Sequence, residues 1–270
     1  MKYRTFISGC FVLVLSSMYA DTISVNFHLG NDADAQADHE LTGSESAGLD
    51  SNTTWNNINV GNGAAHNSPG TIFSPTVLKD DAGNTNAAIV ATSTASTWFV
   101  GYCANAASVA TELGLAGNHD DLYNSYLALN GPAGDGSPAD AAVLSVTGLA
   151  SIYTTLGYKV IIYSDSDKRP ASGLTAVRQS LFTLTPAGNS AETALTEDDV
   201  APGWTNTFDG NYILSDNNDT GDDYSNYTVF TNLTASSFTL DISSPDGGRG
   251  AINGFQIVAN PNRSTVILVL

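Results

Sequence analysis

Cysteine, basic residues and long apolar runs are all scarce in this chain. Of its 270 residues two are cysteines, Cys10 and Cys103. Cys10 lies in an N-terminal targeting segment, which leaves Cys103 alone and excludes an intramolecular disulfide. A chain of about 250 residues can bury enough surface to fold without one. Cys103 follows Trp98, Phe99, Val100 and Tyr102 and reads as a buried, inert thiol. Nine Lys and Arg face 27 Asp and Glu, a net charge of −18. Loss of Lys2 and Arg4 with the targeting segment takes the net charge to about −20. Such a surface repels nucleic acid and anionic membranes, so both are excluded as partners. The four histidines, 28, 39, 66 and 119, are scattered, with no paired-histidine zinc box. There is no Gly-x-Ser-x-Gly nucleophile elbow either. The apolar stretches Phe6–Leu15 and Thr265–Leu270 both fall short of the about 20 residues that a membrane-spanning helix needs.

What is present is a secretory leader and a β pattern. Lys2 and Arg4, the apolar run from Phe6, and small residues up to Ala20 have the layout of a signal peptide over 1–20. The remainder shows no long linker, repeat or shift of composition. It is read as one domain over 21–260 followed by a short tail, 261–270. Aspartate far outnumbers glutamate, which puts the acidity in turns and loops, as in a β protein.

Two segments frame the domain. In Thr22–Gly30, Val25, Phe27 and Leu29 share one face; in Arg249–Val258, Phe255 and Ile257 do. Alternation at period two marks a strand with one face on a core and the other in water. Both ends are therefore expected to close one core. Further strands are expected at Ala87–Ala91, Thr97–Tyr102, Ala142–Thr147, Lys159–Ser164, Ser180–Thr185, Asn211–Leu214, Tyr227–Thr231 and Ser237–Ile242. The nearly continuous apolar run Tyr158–Tyr163 suits a strand buried on both faces. Asn253-Gly254 breaks the last alternation and reads as a bulge or turn that aims Phe255 into the core. One helix is expected, Asp120–Leu129, capped by Asn118 or Asp120. The Gly117-Asn118-His119-Asp120 box of metallophosphoesterases is read as that cap, since the other metal-binding motifs are missing. The fold class is all-β: a single antiparallel β-sandwich of jelly-roll type with one short helix.

Three stretches together carry a family resemblance: the opening ISVNF, the middle VTGLAS…YKVIIYSDSD, and the closing YTVFTNLTASSFTLDI…GRGAINGFQIV. In these the chain resembles secreted β-sandwich proteins of Planctomycetes, Verrucomicrobia and Lentisphaerae, many with PEP-CTERM sorting tails. Those are similar to galactose-binding-like jelly rolls. The resemblance implies a bacterial protein, outside the cell or at its surface. The tail departs from the pattern, with Asn262-Arg263-Ser264 where Pro-Glu-Pro would stand.

Candidate sites follow from residue chemistry. Sugar sites stack flat aromatic faces on pyranose rings and use amides and carboxylates for hydroxyls. Trp204, in loop sequence just before Asp209, is the first candidate platform, and Trp55 beside Asn57 the second; Trp98 reads as core. Asp216-Asn217-Asn218-Asp219-Thr220-Gly221-Asp222 resembles the first half of a calcium loop, with Asp216, Asn218 and Asp222 the candidate ligands. No cofactor is required, and Ca2+ is the one cation the pattern points to. The leading reading is a secreted, non-catalytic protein that binds a polysaccharide or glycan. The alternatives are a structural or adhesion matrix protein without a small ligand, and a polysaccharide hydrolase or lyase using paired carboxylates. If the 216–222 loop holds calcium, millimolar calcium is expected to raise the melting temperature, and chelator to reverse the rise. An unchanged melting curve would make the loop merely polar.

Overall fold

The computed structural model describes residues 21–28, 40–41, 46–59, 66–67, 70–93, 97–98, 122–123, 127–130, 142–165, 179–197, 211–217, 224–245 and 249–261. Residues 1–20 and those beyond 261 lie outside them. The described strands, in chain order, are β1 (Thr22–His28), β2 (Trp55–Asn59), β3 (His66–Asn67), β4 (Gly70–Lys79) and β5 (Thr85–Ser93). Next come β6 (Thr97–Trp98), β7 (Leu127–Asn130), β8 (Ala142–Thr147), β9 (Tyr158–Tyr163) and β10 (Gln179–Pro186). The last are β11 (Glu192–Glu197), β12 (Tyr227–Leu233), β13 (Phe238–Ser243), β14 (Arg249–Ile252) and β15 (Gly254–Ala259). A five-stranded sheet has the order β12-β9-β15-β1-β2, a six-stranded sheet β11-β10-β13-β8-β5-β4, and a small four-stranded sheet β14-β7-β6-β3. The protein is an all-β, mainly antiparallel sandwich of jelly-roll type, with one short helix among the described residues. The β1–β2 pair is parallel.

The main core lies between the two large sheets. Val25 and Phe27 of β1 and Phe255 and Ile257 of β15 enter it together, as the alternation predicts, with the strands paired Val25↔Phe255. The Phe27 and Phe255 rings lie 6.2 Å apart. Leu144, Val146, Phe182, Leu184, Leu240 and Ile242 come from the opposing sheet. Tyr158 of β9 meets Phe238 of β13 across the gap at 6.4 Å.

The outer face of the five-stranded sheet is the first correction. In β1 and β15 the alternation predicts it in water, yet every residue of both strands is buried, as the apolar run of Tyr158–Tyr163 predicts for β9. Residues 46–52, the helical turn Leu122–Tyr123 and Tyr212 lie against it. Trp55, Tyr123, Ile161, Tyr163 and Val258 form a second apolar cluster there, with Tyr212, Tyr227 and Val229 packed on it. Gln256 is fully buried at its centre. Its amide nitrogen donates to Ser24 Oγ (3.0 Å) and to the Asp50 carbonyl (2.8 Å). Its Oε1 accepts from Tyr163 Oη (2.5 Å) and from the Asp50 amide (3.2 Å). Gly48, at φ +83°, makes room for this: a Cβ there would lie 2.6 Å from Gln256 Oε1.

Asn253 does not bulge one strand so much as divide two. β14 pairs with β7 in the small sheet, and β15 pairs with β1 and β9. The Asn253 side chain, fully buried, accepts from the Asp165 amide (2.6 Å) and donates to the Tyr123 carbonyl (3.2 Å). Gly254 follows because a Cβ there would sit 2.3 Å from the Val25 carbonyl oxygen.

The helix is the second correction. Leu122–Tyr123 is helical, but Leu127–Asn130 is strand β7, paired to Arg249–Ile252. A few residues of helical periodicity cannot outweigh a strand partner that only the fold supplies. The helix proper is α1 (Ser151–Leu156), entered after Gly148 and left at Gly157, both at positive φ. Asn211–Leu214, expected as a strand, makes only an isolated bridge from Leu214 to Tyr227. Thr97–Tyr102 is described only as far as β6.

Phe255→Ala is expected to cost about 3–5 kcal/mol, the usual range for truncating a core phenylalanine. Gln256→Ala is expected to cost a similar amount, because each buried partner it abandons forfeits about 1–3 kcal/mol. Equilibrium chemical denaturation measures both. A Gln256→Ala loss within the about 0.5 kcal/mol of an ordinary surface change would refute the role given to this layer.

Candidate functional site

With the five-stranded sheet covered on both sides, the six-stranded sheet has the broad face that no described segment covers. The alternation of β10 and β13 builds it. Phe182 and Leu184, like Leu240 and Ile242, point inward; Leu181, Thr183, Thr185, Thr239, Asp241 and Ser243 are half-buried on the outer side. The register sets them in rows. Thr183 pairs with Asp241, which pairs with Val143 of β8; Thr185 pairs with Thr239, which pairs with Ser145. Leu181 stands between Leu195 and Ser243. The face is thus mostly hydroxyl-bearing, with apolar positions between and one carboxylate near its middle.

Asp241 is the electrostatic centre of this face. Partial burial pushes its carboxyl above the usual aspartate value. Among the described residues it has no ion pair or hydrogen-bond donor to offset that desolvation. A carboxylate in this condition gains more than a solvated one from any donor a ligand brings.

At the sheet edge a notch of about 280 Å³ opens beside this face, lined by Leu181, Thr193, Leu195, Asn217 and Pro245. Asn217, at the end of segment 211–217, is on its wall. Asn217, at φ 61°, accepts from the Leu195 amide through its side chain (3.1 Å), and Ser215 Oγ donates to the Leu195 carbonyl. Asparagine is among the few non-glycine residues that adopt this left-handed backbone at modest cost.

The residues singled out from sequence fall elsewhere. Trp55 is 8 % exposed, and its indole N–H donates to the Asn52 carbonyl (2.9 Å). A stacking platform has to present a ring face to solvent, and this ring is packed in the second cluster instead. Asn57 joins strands: its Oδ1 accepts from Asn26 (3.1 Å) and from the Leu41 amide (3.1 Å), and its amide donates to the Leu41 carbonyl (3.0 Å). Asp216 is exposed on the 211–217 segment. Trp204, Asp209, Asn218 and Asp222 lie outside the described residues. Among the described residues no group of three or more acidic, histidine or cysteine side chains is placed to hold a metal ion.

No family model matches this sequence, and no curated protein does. Among solved structures, the chain is similar to the Clostridium thermocellum N-terminal endo-1,4-β-D-xylanase 10B, CBM22-1 and GH10 modules, complexed with xylohexaose. The identity is 9 % and the TM-score 0.24, over 53 % of this chain and 26 % of that one. This chain therefore spans about a quarter of that protein's length.

The pH dependence of Asp241 has a definite sign. Its folded pKa is raised, so the ionised carboxylate is disfavoured in the folded state at neutral pH; the penalty disappears as pH falls below the unfolded value of 3.8. Asp241→Asn is therefore expected to match or exceed the wild-type melting temperature at neutral pH, with the difference gone near pH 3. Thermal melts across that range measure it. A variant less stable than wild type at neutral pH would mean that the carboxylate has a stabilising partner.

Proposed function

We propose that this chain is a secreted, non-catalytic carbohydrate-binding protein that holds a neutral glycan across the open face of its six-stranded sheet. The observation that carries this reading is the makeup of that face: rows of threonine and serine around the partly desolvated Asp241, interleaved with Leu181 and Val143. A sugar ring offers hydroxyls that both donate and accept, and apolar C–H faces between them. Threonine hydroxyls match the first in both senses, and Asp241 accepts from two hydroxyls at once. The leucine and valine side chains match the second. The net charge of −18 favours a neutral chain over polyuronates and sulfated glycans. The leader over 1–20 supports a location outside the cell, where such polymers are met.

Affinity electrophoresis against neutral polysaccharides (arabinoxylan, galactan and glucomannan) tests the proposal. Retention on at least one of them is expected, together with at least about tenfold weaker binding by Asp241→Ala, the factor that corresponds to losing one charge-assisted hydrogen bond. Retention on none, equal retention of the variant, or release of reducing sugar from the bound polymer would overturn the reading.

A further inference from the structure

A second concavity lies away from the open face, at the mouth of the sandwich. The edge strands of the two large sheets, β11 and β12, run past each other there. At one end they are tied: the Ser225 amide donates to the Glu197 carbonyl (2.9 Å), and the Glu197 amide donates to Ser225 Oγ (3.0 Å). At the other end they part around a cleft of about 340 Å³. Its floor is apolar, from the buried Pro186 and Leu233. Its rim is polar, with Asn189, Glu192, Asn232 and Thr234.

Two local devices shape the rim. The turn between β10 and β11 carries Asn189, whose amide N–H donates to the Pro186 carbonyl (3.0 Å). On the facing side β12 bulges: Phe230 pairs with Val160 and Leu233 with Tyr158, so Thr231 and Asn232 stand opposite Lys159 alone. The bulge turns Asn232 toward the cleft with φ at 60°. Glycine would hold that backbone with less strain, so the amide side chain is what asparagine adds. Its nitrogen makes a contact of 3.3 Å to Thr231 Oγ1, and its carbonyl oxygen has no recorded donor among the described residues. Glu192 is exposed and has no ion pair or hydrogen bond among the described residues.

We infer that this cleft is a second, separate saccharide subsite, which takes the terminal pyranose of a neutral glycan. The volume sits at the low end of ordinary ligand cavities, about 300–1,000 Å³, and suits a single ring end-on. The rim pairs amides, which donate and accept, with a hydroxyl and one carboxylate, the set that vicinal hydroxyls satisfy. An anionic ligand would meet Glu192, and no cation is among the residues that line the cleft. An ammonium ligand would donate to Glu192 and to the amide oxygens but would leave both amide NH2 groups without an acceptor. The subsite does not depend on the open-face reading, since no lining residue is shared with it.

Titration of the full protein with methyl β-D-glucoside, methyl β-D-galactoside, methyl β-D-xyloside and, separately, methylammonium tests this by amide-resolved NMR. At least one glycoside is expected to shift the amides of residues 187–192 and 232–234 saturably at millimolar concentration. Glu192→Gln is expected to weaken that binding about tenfold, the factor for one charge-assisted hydrogen bond. Asn232→Gly keeps the backbone geometry, so its melting temperature should not fall while its affinity does. Asp241→Ala should leave these shifts unchanged, which separates failure here from failure of the open face. Shifts with methylammonium alone, no saturable shift with any glycoside, or shifts that survive both cleft variants unchanged would overturn the subsite.

Discussion

Everything in this fold depends on a sheet that is dry on both sides. One face of the five-stranded sheet makes the main core; the other is roofed by chain that a simple sandwich would leave in water. β1 and β15 carry polar residues at alternate positions, so roofing them traps Ser24, Asn26 and Gln256 out of solvent. Buried polar groups are tolerable only when bonded. Gln256 meets that demand by bonding both backbone groups of Asp50 in the roof, and the Tyr163 hydroxyl accepts from the Leu49 amide (2.8 Å). Burial pushes the Tyr163 and Tyr123 hydroxyls well above their ordinary values, so both stay neutral donors and acceptors in the layer. Tyr212 completes the packing, with ring centres 6.2 Å from Tyr123 and 5.8 Å from Tyr163.

The same residue chemistry closes the edges. Asn56 of β2 donates to the Lys79 carbonyl and accepts from the Lys79 amide, both at 2.8 Å, and so acts toward β4 as a one-residue strand. Asn217 and Ser215 do this for Leu195 on the opposite edge. A side-chain amide has the donor and acceptor of a peptide group, and it carries no charge to desolvate. Edges satisfied in this way are poor templates for pairing with another chain. With one sheet roofed and both edges engaged, the outer side of the six-stranded sheet and the mouth beside β11 and β12 are the surfaces that the described residues leave open.

Much of the fold was legible because it rests on alternation. Ala142–Thr147, Ser180–Thr185 and Ser237–Ile242 read as strands from their own residues, and the structure has them as β8, β10 and β13 within a residue or two. The half of that alternation that faces outward was legible as well; Thr183, Thr239 and Asp241 occupy the polar positions. Their meeting was not legible, because Asp241 reaches Thr183 and Val143 through pairings between segments far apart in sequence. Trp55 shows the reverse failure. Its neighbours are polar and loop-like, so a local reading leaves its ring exposed, whereas the roof brings Tyr163 and Val258 into the same cluster.

The sequence by itself determined many of the strands, which of their faces carries the apolar side chains, and that β1 and β15 share a core, but it read Leu127–Leu129 as helix and Asn211–Leu214 as strand. Those properties follow from a period of two and from burying apolar surface, both of which are local. Only the tertiary structure decided what covers the polar faces. Gln256 and Asp241 hold equivalent outward positions in alternating strands, and nothing near either in the chain distinguishes them. One became a buried anchor because residues 46–52 fold over it, and the other became the centre of an open face because no described segment does. The difference lies in long-range packing, where the cost of burying a polar group is met by partners that sequence distance hides.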